Sequence, residues 1–168
     1  MPNYFNSINK GEYKNFAPFL FRNKFFLKFL IYLLLAIING VIFSEISKYF
    51  NISIENDFDK MSIFKKYLVV GIISPIIETF IFQAFIFKIL NKVKYFENRK
   101  YLIILVSSIL FALSHSYSSL YIFMTFIAGL IINTFYMQLV LSNSIKFANI
   151  VIIVFHMIFN LLALSINY

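Results

Sequence analysis

Five apolar stretches, four of them close to twenty residues long, constrain this chain more than any motif in it. A helix that crosses the hydrocarbon core of a bilayer needs about 20 apolar residues. Residues 25–43 qualify, interrupted only by Lys28 and Asn39. Residues 67–87 qualify while carrying Ser74, Pro75, Glu78, Thr79 and Gln83, an unusual polar load. Residues 101–115 are short and close in a Ser/His-rich stretch, and residues 120–141 and 147–164 complete the series. In lipid a backbone must satisfy its own polar groups, so such segments become helices. The expected fold class is therefore all-α, a polytopic transmembrane helix bundle of about five spans.

Composition closes off the other classes. Of the 168 residues, 61% are hydrophobic and only 13% are charged, where a soluble domain carries about 25% charged residues. A soluble chain of this size buries too small a fraction of its surface to hide that much apolar area. A soluble enzyme, a disordered chain and a nucleic-acid-binding domain are excluded on this ground. Cysteine is absent, which removes a disulfide framework, a thiol nucleophile and any Cys-based metal site. The net charge of +8 reads first as a topology signal.

With five spans, one side collects Lys10, Lys14, Arg22, Lys24, Lys28, Lys88, Lys92, Lys94, Arg99, Lys100 and Lys146, and the other only Lys48, Lys60, Lys65 and Lys66. Basic residues stay cytoplasmic, so a cytoplasmic N-terminus is expected, with the C-terminus on the far side. The basic face attracts anionic lipid, and no nucleic-acid partner is needed to explain the charge. The first 24 residues mix polar and aromatic types and fit a short interfacial helix; no small-residue cleavage site follows the first apolar stretch, so a cleaved signal peptide is not expected. The division expected is an N-terminal segment, 1–66, holding one added transmembrane helix and a hydrophilic loop, and a four-helix core, 67–168. Richness in Phe, Ile, Asn and Lys points to an AT-rich genome and a bacterial cell membrane.

The chemistry lies in the few polar groups within the spans. An ionisable residue there costs about 2.5–3.5 kcal/mol on insertion scales and signals function. Glu78 is the only acid within a span, and His115 and His156 are the only two histidines in the chain. Asn160 follows His156 by one helical turn, and Ser74 precedes Glu78 by one turn, so each pair shares a face. Counted from the basic ends of their helices, Glu78, His115, His156 and Asn160 lie about 15, 22, 15 and 21 Å deep, one layer about 7 Å thick. No second polar layer and no polar line through the bilayer is read from the sequence, which ranks a transporter or channel last.

Such a layer supports hydrolysis. A carboxylate can act as general base on a water, a histidine can orient that water or supply a proton, and a His/Asn pair can donate to a developing oxyanion. One Glu and two His also make up the donor set of a zinc hydrolase. Structural roles compete with each assignment: a carboxylate bonded to Ser74 for Glu78, a wetted helix-end residue for His115, and an interhelical hydrogen-bond clasp for His156 and Asn160.

The segment Pro75-Ile-Ile-Glu78-Thr79-Phe-Ile-Phe-Gln83 resembles the first motif of the CAAX-protease and bacteriocin-processing (CPBP, or Abi) family of intramembrane proteases, Glu-Glu-x-x-x-Arg after a proline. Phe111-Ala-Leu-Ser-His115 resembles the second motif, Phe-x-x-x-His, and His156-Met-Ile-Phe-Asn160 the third, His-x-x-x-Asn. The three occur in order on successive apolar segments, over residues from about 65 to 165.

The resemblance implies an intramembrane endopeptidase that cleaves a peptide or small membrane-associated protein. Glu78 is implied as the glutamate that activates water, His115 as its partner, and His156 with Asn160 as the oxyanion-stabilising pair. It implies no obligatory cofactor, although some members are described as metalloproteases; a zinc ion, where used, would fall to Glu78, His115 and His156. The chain departs from the pattern at Thr79 and Gln83, where the family has Glu and Arg. An ion pair spanning one turn is replaced by a neutral pair still able to hydrogen-bond, a structural clamp lost more than a catalyst. The competing expectation is an inactive family member serving in bacteriocin self-immunity or as a scaffold.

Overall fold

The computed structural model describes residues 23–52 and 61–166. The expected N-terminal interfacial helix and the middle of the hydrophilic loop lie outside the described residues. Five helices carry the fold, and no strand occurs among the described residues. Helix α1 is Asn23–Phe50, α2 is Ile63–Leu90, α3 is Lys100–Leu113, α4 is Ser119–Ser142 and α5 is Ile145–Ile166. All but α3 are long and apolar enough to cross a bilayer. At 14 residues, α3 rises about 21 Å and stops short of the roughly 30 Å core.

The helices run past the apolar stretches that predict them. α1 continues seven residues beyond Phe43, because a helix does not end where lipid does: Lys48 Nζ reaches Glu45 Oε1 at 2.8 Å on the exposed last turns. α1 is apolar on every side and leaves Phe26, Leu30, Leu34 and Ile38 exposed, as a lipid-facing helix should. Its inner side packs on α4 and α5, where Asn39 Nδ2 donates to Met124 O at 3.1 Å.

α4 is the central element, touching α1, α3 and α5. Gly129 lets α3 approach: a Cβ there would lie 3.1 Å from the Ser108 Cα, so a larger residue would push the two backbones apart by a few tenths of an ångström. Near the basic end of the bundle, Phe87, Ile103, Phe135, Tyr136, Ile152 and Phe155 are almost wholly enclosed. Tyr32 stacks on Phe135 at 4.8 Å, and Phe87 meets Tyr136 edge-on at 4.9 Å. Such aromatic pairs add about 0.5–1.5 kcal/mol beyond the area they bury.

Helix α2 departs from α geometry twice. Wide π turns run over Val69–Ile73 and Thr79–Phe85, with a regular piece, Ser74–Glu78, between them. Each inserts a residue into the helical register and releases a carbonyl. Two of the carbonyls in these turns take side-chain donors from neighbouring helices: Val70 O accepts from Asn160 Nδ2 of α5 at 2.8 Å, and Phe82 O accepts from Ser107 Oγ of α3. Hydrocarbon has no water to offer in their place.

Candidate active site

The two wide turns and the shortness of α3 build the site between them. Glu78 is the last residue of the regular piece of α2. α3 ends at Leu113, and the chain turns at Ser114 to present His115 at the same level. His156 comes from the middle of α5. His115 Nε2 lies 3.7 Å from Glu78 Oε1, and His156 Nε2 lies 3.5 Å from Glu78 Oε2. Three residues far apart in sequence thus meet, one imidazole facing each carboxylate oxygen.

Each histidine is held differently. His115 Nδ1 lies 2.8 Å from Phe111 O. A carbonyl only accepts, so Nδ1 carries the hydrogen and Nε2 is left to face the carboxylate. Phe111 is thus a supporting residue in two ways, its ring also lying 4.6 Å from the His115 ring and 6.1 Å from that of His156. The one-turn spacing from Phe111 to His115 is what lets the ring and the carbonyl of one residue fix the other. His156 is buried, and its Nδ1 has no hydrogen-bond partner. Glu78 and His115 side chains each keep 18% of their surface exposed, against 8% for His156. His156 is therefore the most enclosed of the three.

Asn160 shares the His156 face of α5, and its amide donates to Val70 O on α2. Ser74, on the Glu78 face, makes no hydrogen bond to the carboxylate. Among the described residues, no group of three or more His, Cys, Asp or Glu side chains is arranged to hold a metal ion.

Thr79 and Gln83 do not hydrogen-bond to each other, as their spacing allows. Both are fully enclosed, and Gln83 Nε2 donates to Asn133 Oδ1 on α4 at 3.0 Å. Asn133 Nδ2 passes the chain on to Ser108 Oγ of α3 at 3.0 Å, and Ser108 Oγ donates to Ile104 O at 2.7 Å. Thr79 Oγ1 and Gln83 Oε1 stay without partners. A second polar layer, Gln83–Asn133–Ser108, therefore lies closer to the basic end than the Glu78 layer, where the sequence reading places none. Asn133 interrupts the fourth apolar stretch as visibly as Gln83 does the second, and that was the available signal. This layer is closed to solvent and joins α2, α4 and α3 side by side.

Residues of three motifs thus meet from α2, from the turn after α3 and from α5. The type II CAAX prenyl endopeptidase Rce1-like family matches residues 61–162, more than half of the chain. The chain belongs to this family. The match starts just before α2 and ends within α5, so it takes in the whole of the site and leaves α1 outside. No curated protein and no solved structure matches the chain. Four long apolar helices and membership of the CAAX prenyl endopeptidase family make this a multi-pass membrane protein with a CAAX-protease-like domain.

Proposed function

We propose that the protein is an intramembrane endopeptidase in which Glu78 activates water. The observation that carries this is the pair of imidazoles, one on each oxygen of the only membrane-buried carboxylate among the described residues. With Nδ1–H spent on Phe111 O, His115 Nε2 and a carboxylate oxygen would oppose each other as two acceptors. They are compatible only if a proton or a water stands with them. At 3.7 Å the two atoms are too far apart for a direct bond, yet one water about 2.8 Å from each can serve both.

In the proposed reaction Glu78 takes a proton from that water as its oxygen adds to the scissile carbonyl carbon. His156, protonated on Nε2, donates to the oxygen that becomes negative. The tetrahedral adduct collapses, the C–N bond breaks, and the amine leaves with the proton that Glu78 received. Water and one peptide bond become one carboxylic acid and one amine. The substrate is a peptide or a small membrane-associated protein, and the lipid bilayer is the second partner. No resident metal is needed, so cleavage should persist after treatment with a chelator. The N-terminus is proposed to be cytoplasmic, from the distribution of Lys and Arg.

The test compares peptides released by cells expressing the wild type and Glu78→Gln, a change that keeps size and removes the base. Fragments that vanish with the variant support the protease and identify its substrate. Identical profiles, with a phenotype of the gene that survives the substitution, would replace it with an immunity protein or scaffold.

A further inference from the structure

Two residues that make no hydrogen bond to the Glu78 carboxylate, Pro75 and Asn160, bear on the wide turn that precedes it. Pro75 has no N–H to donate. In the first wide turn, Ser74 N–H bonds to Val69 O, five residues back. In that register the next donor, the one due at Val70 O, is the N–H that Pro75 lacks. Val70 O is the carbonyl left over, and it is the one that Asn160 reaches from α5 at 2.8 Å. A wide turn holds one residue more than an α turn. It therefore rotates everything after it by about 100° relative to an uninterrupted α-helix. Glu78, at the end of the short regular piece that follows, is the side chain whose aim this rotation sets.

We propose that Asn160 is a positioning residue: by capping Val70 O it holds the wide turn that points the Glu78 carboxylate at His115 and His156. The proposal rests on the hydrolase reading for the role of Glu78, but its geometric claim is tested without any cleavage. Lacking Asn160, the wide turn leaves Val70 O without a donor in hydrocarbon. The α register, in which Ser74 N–H returns to Val70 O, then competes, and it swings Glu78 off α5. Replacing Pro75 by a residue with an N–H has the same result by the opposite route, because the α register can then satisfy every carbonyl by itself.

The absence of native cysteine makes the direction measurable. In the full chain in detergent micelles, the pair Glu78→Cys and His156→Cys is treated with a short bifunctional thiol reagent. Cross-linking is expected to be rapid with Asn160 present and at least about fivefold slower with Asn160→Leu. Asn160→Gln, which keeps an amide donor, should recover half the rate or more. Pro75→Ala should slow the reaction as well, and adding Asn160→Leu to it should slow it no further. If Asn160→Leu does not yield folded, helical protein, Asn160→Asp, of the same size but without an amide donor when ionised, is read in its place. Unchanged cross-linking in a folded Asn160 variant overturns the proposal. So does an Asn160→Leu effect that is the same with and without Pro75. Where Glu78-dependent cleavage can be followed, Asn160→Leu should lower kcat and leave KM within twofold. A Glu78→Gln peptide profile equal to wild type would remove the hydrolase while leaving the cross-linking result standing.

Discussion

The two ends of the bundle obey different rules. At the basic end, aromatic rings from α1, α2, α4 and α5 enclose one another: Phe29 meets Phe155 at 5.5 Å and Tyr32 covers Phe135 at 4.8 Å. Polar groups there mostly find partners, as Tyr136 OH does at Asn149 Oδ1, 2.9 Å away. Around Glu78 the helix carrying the acid leaves α geometry on both sides, the two histidine Nε2 atoms stand 3.7 and 3.5 Å from its carboxylate, longer than an ordinary hydrogen bond, and Thr79 Oγ1 and His156 Nδ1 lack partners. Local rules are broken where a chain is shaped for a task and kept where it is shaped for stability. The packed end makes the frame, and the incompletely satisfied end is the one proposed to engage water and substrate.

That division can be broken by substitutions that strike one end only. The largest effect expected is on cleavage. Glu78→Gln should reduce release of dependent fragments by about 10²–10⁴-fold and move the thermal midpoint by no more than about 2 °C, as read by peptide profiling and by unfolding in detergent. Next is Phe135→Ala, which empties the enclosed core and should cost about 3–5 kcal/mol, a fall of about 10 °C or more in midpoint; well below that midpoint, cleavage should stay within twofold. A loss of cleavage in a folded Phe135→Ala protein would show that the two ends are one unit.

Gln83→Leu sharpens the boundary between them. It leaves Asn133 Oδ1 without the donor it now has and should cost about 1–2 kcal/mol of stability, with little change in kcat. If kcat falls far more than stability does, the second polar layer belongs to the site and not to the frame. Smallest is Tyr32→Phe, which removes the acceptor of the Gln138 Nε2 bond, 2.7 Å long, but keeps the ring on Phe135. Interhelical hydrogen bonds in membranes average about 0.6 kcal/mol, so the midpoint should drop by only 1–2 °C.

Much of this was legible beforehand. The five apolar stretches became the five helices, because burial in lipid is a property of each segment taken by itself. The helices end several residues beyond the apolar stretches: Ser44 to Phe50 continues α1 although half of it is polar. The Glu78 layer was found from depth alone, since rise per residue converts sequence position into height. Pro75 has no N–H to donate and accounts for the first wide turn of α2, but the second, Thr79–Phe85, contains no proline or glycine to mark it in the sequence. The Gln83–Asn133–Ser108 chain is not legible in the sequence, because hydrogen-bonded partners on different helices follow no spacing rule.

The sequence by itself determined that the chain lives in a membrane, how many helices it forms and at what height its acid and histidines lie, because hydrophobicity and helical rise act along the chain. Which way those side chains turn was decided only in the folded bundle. Rotation about a helix axis depends on register, and register in α2 is set by contacts from α3 and α5, tens of residues away. A carbonyl freed at Val70 is an unpaired group in the sequence and an anchor in the structure, and only the arrival of Asn160 makes the difference.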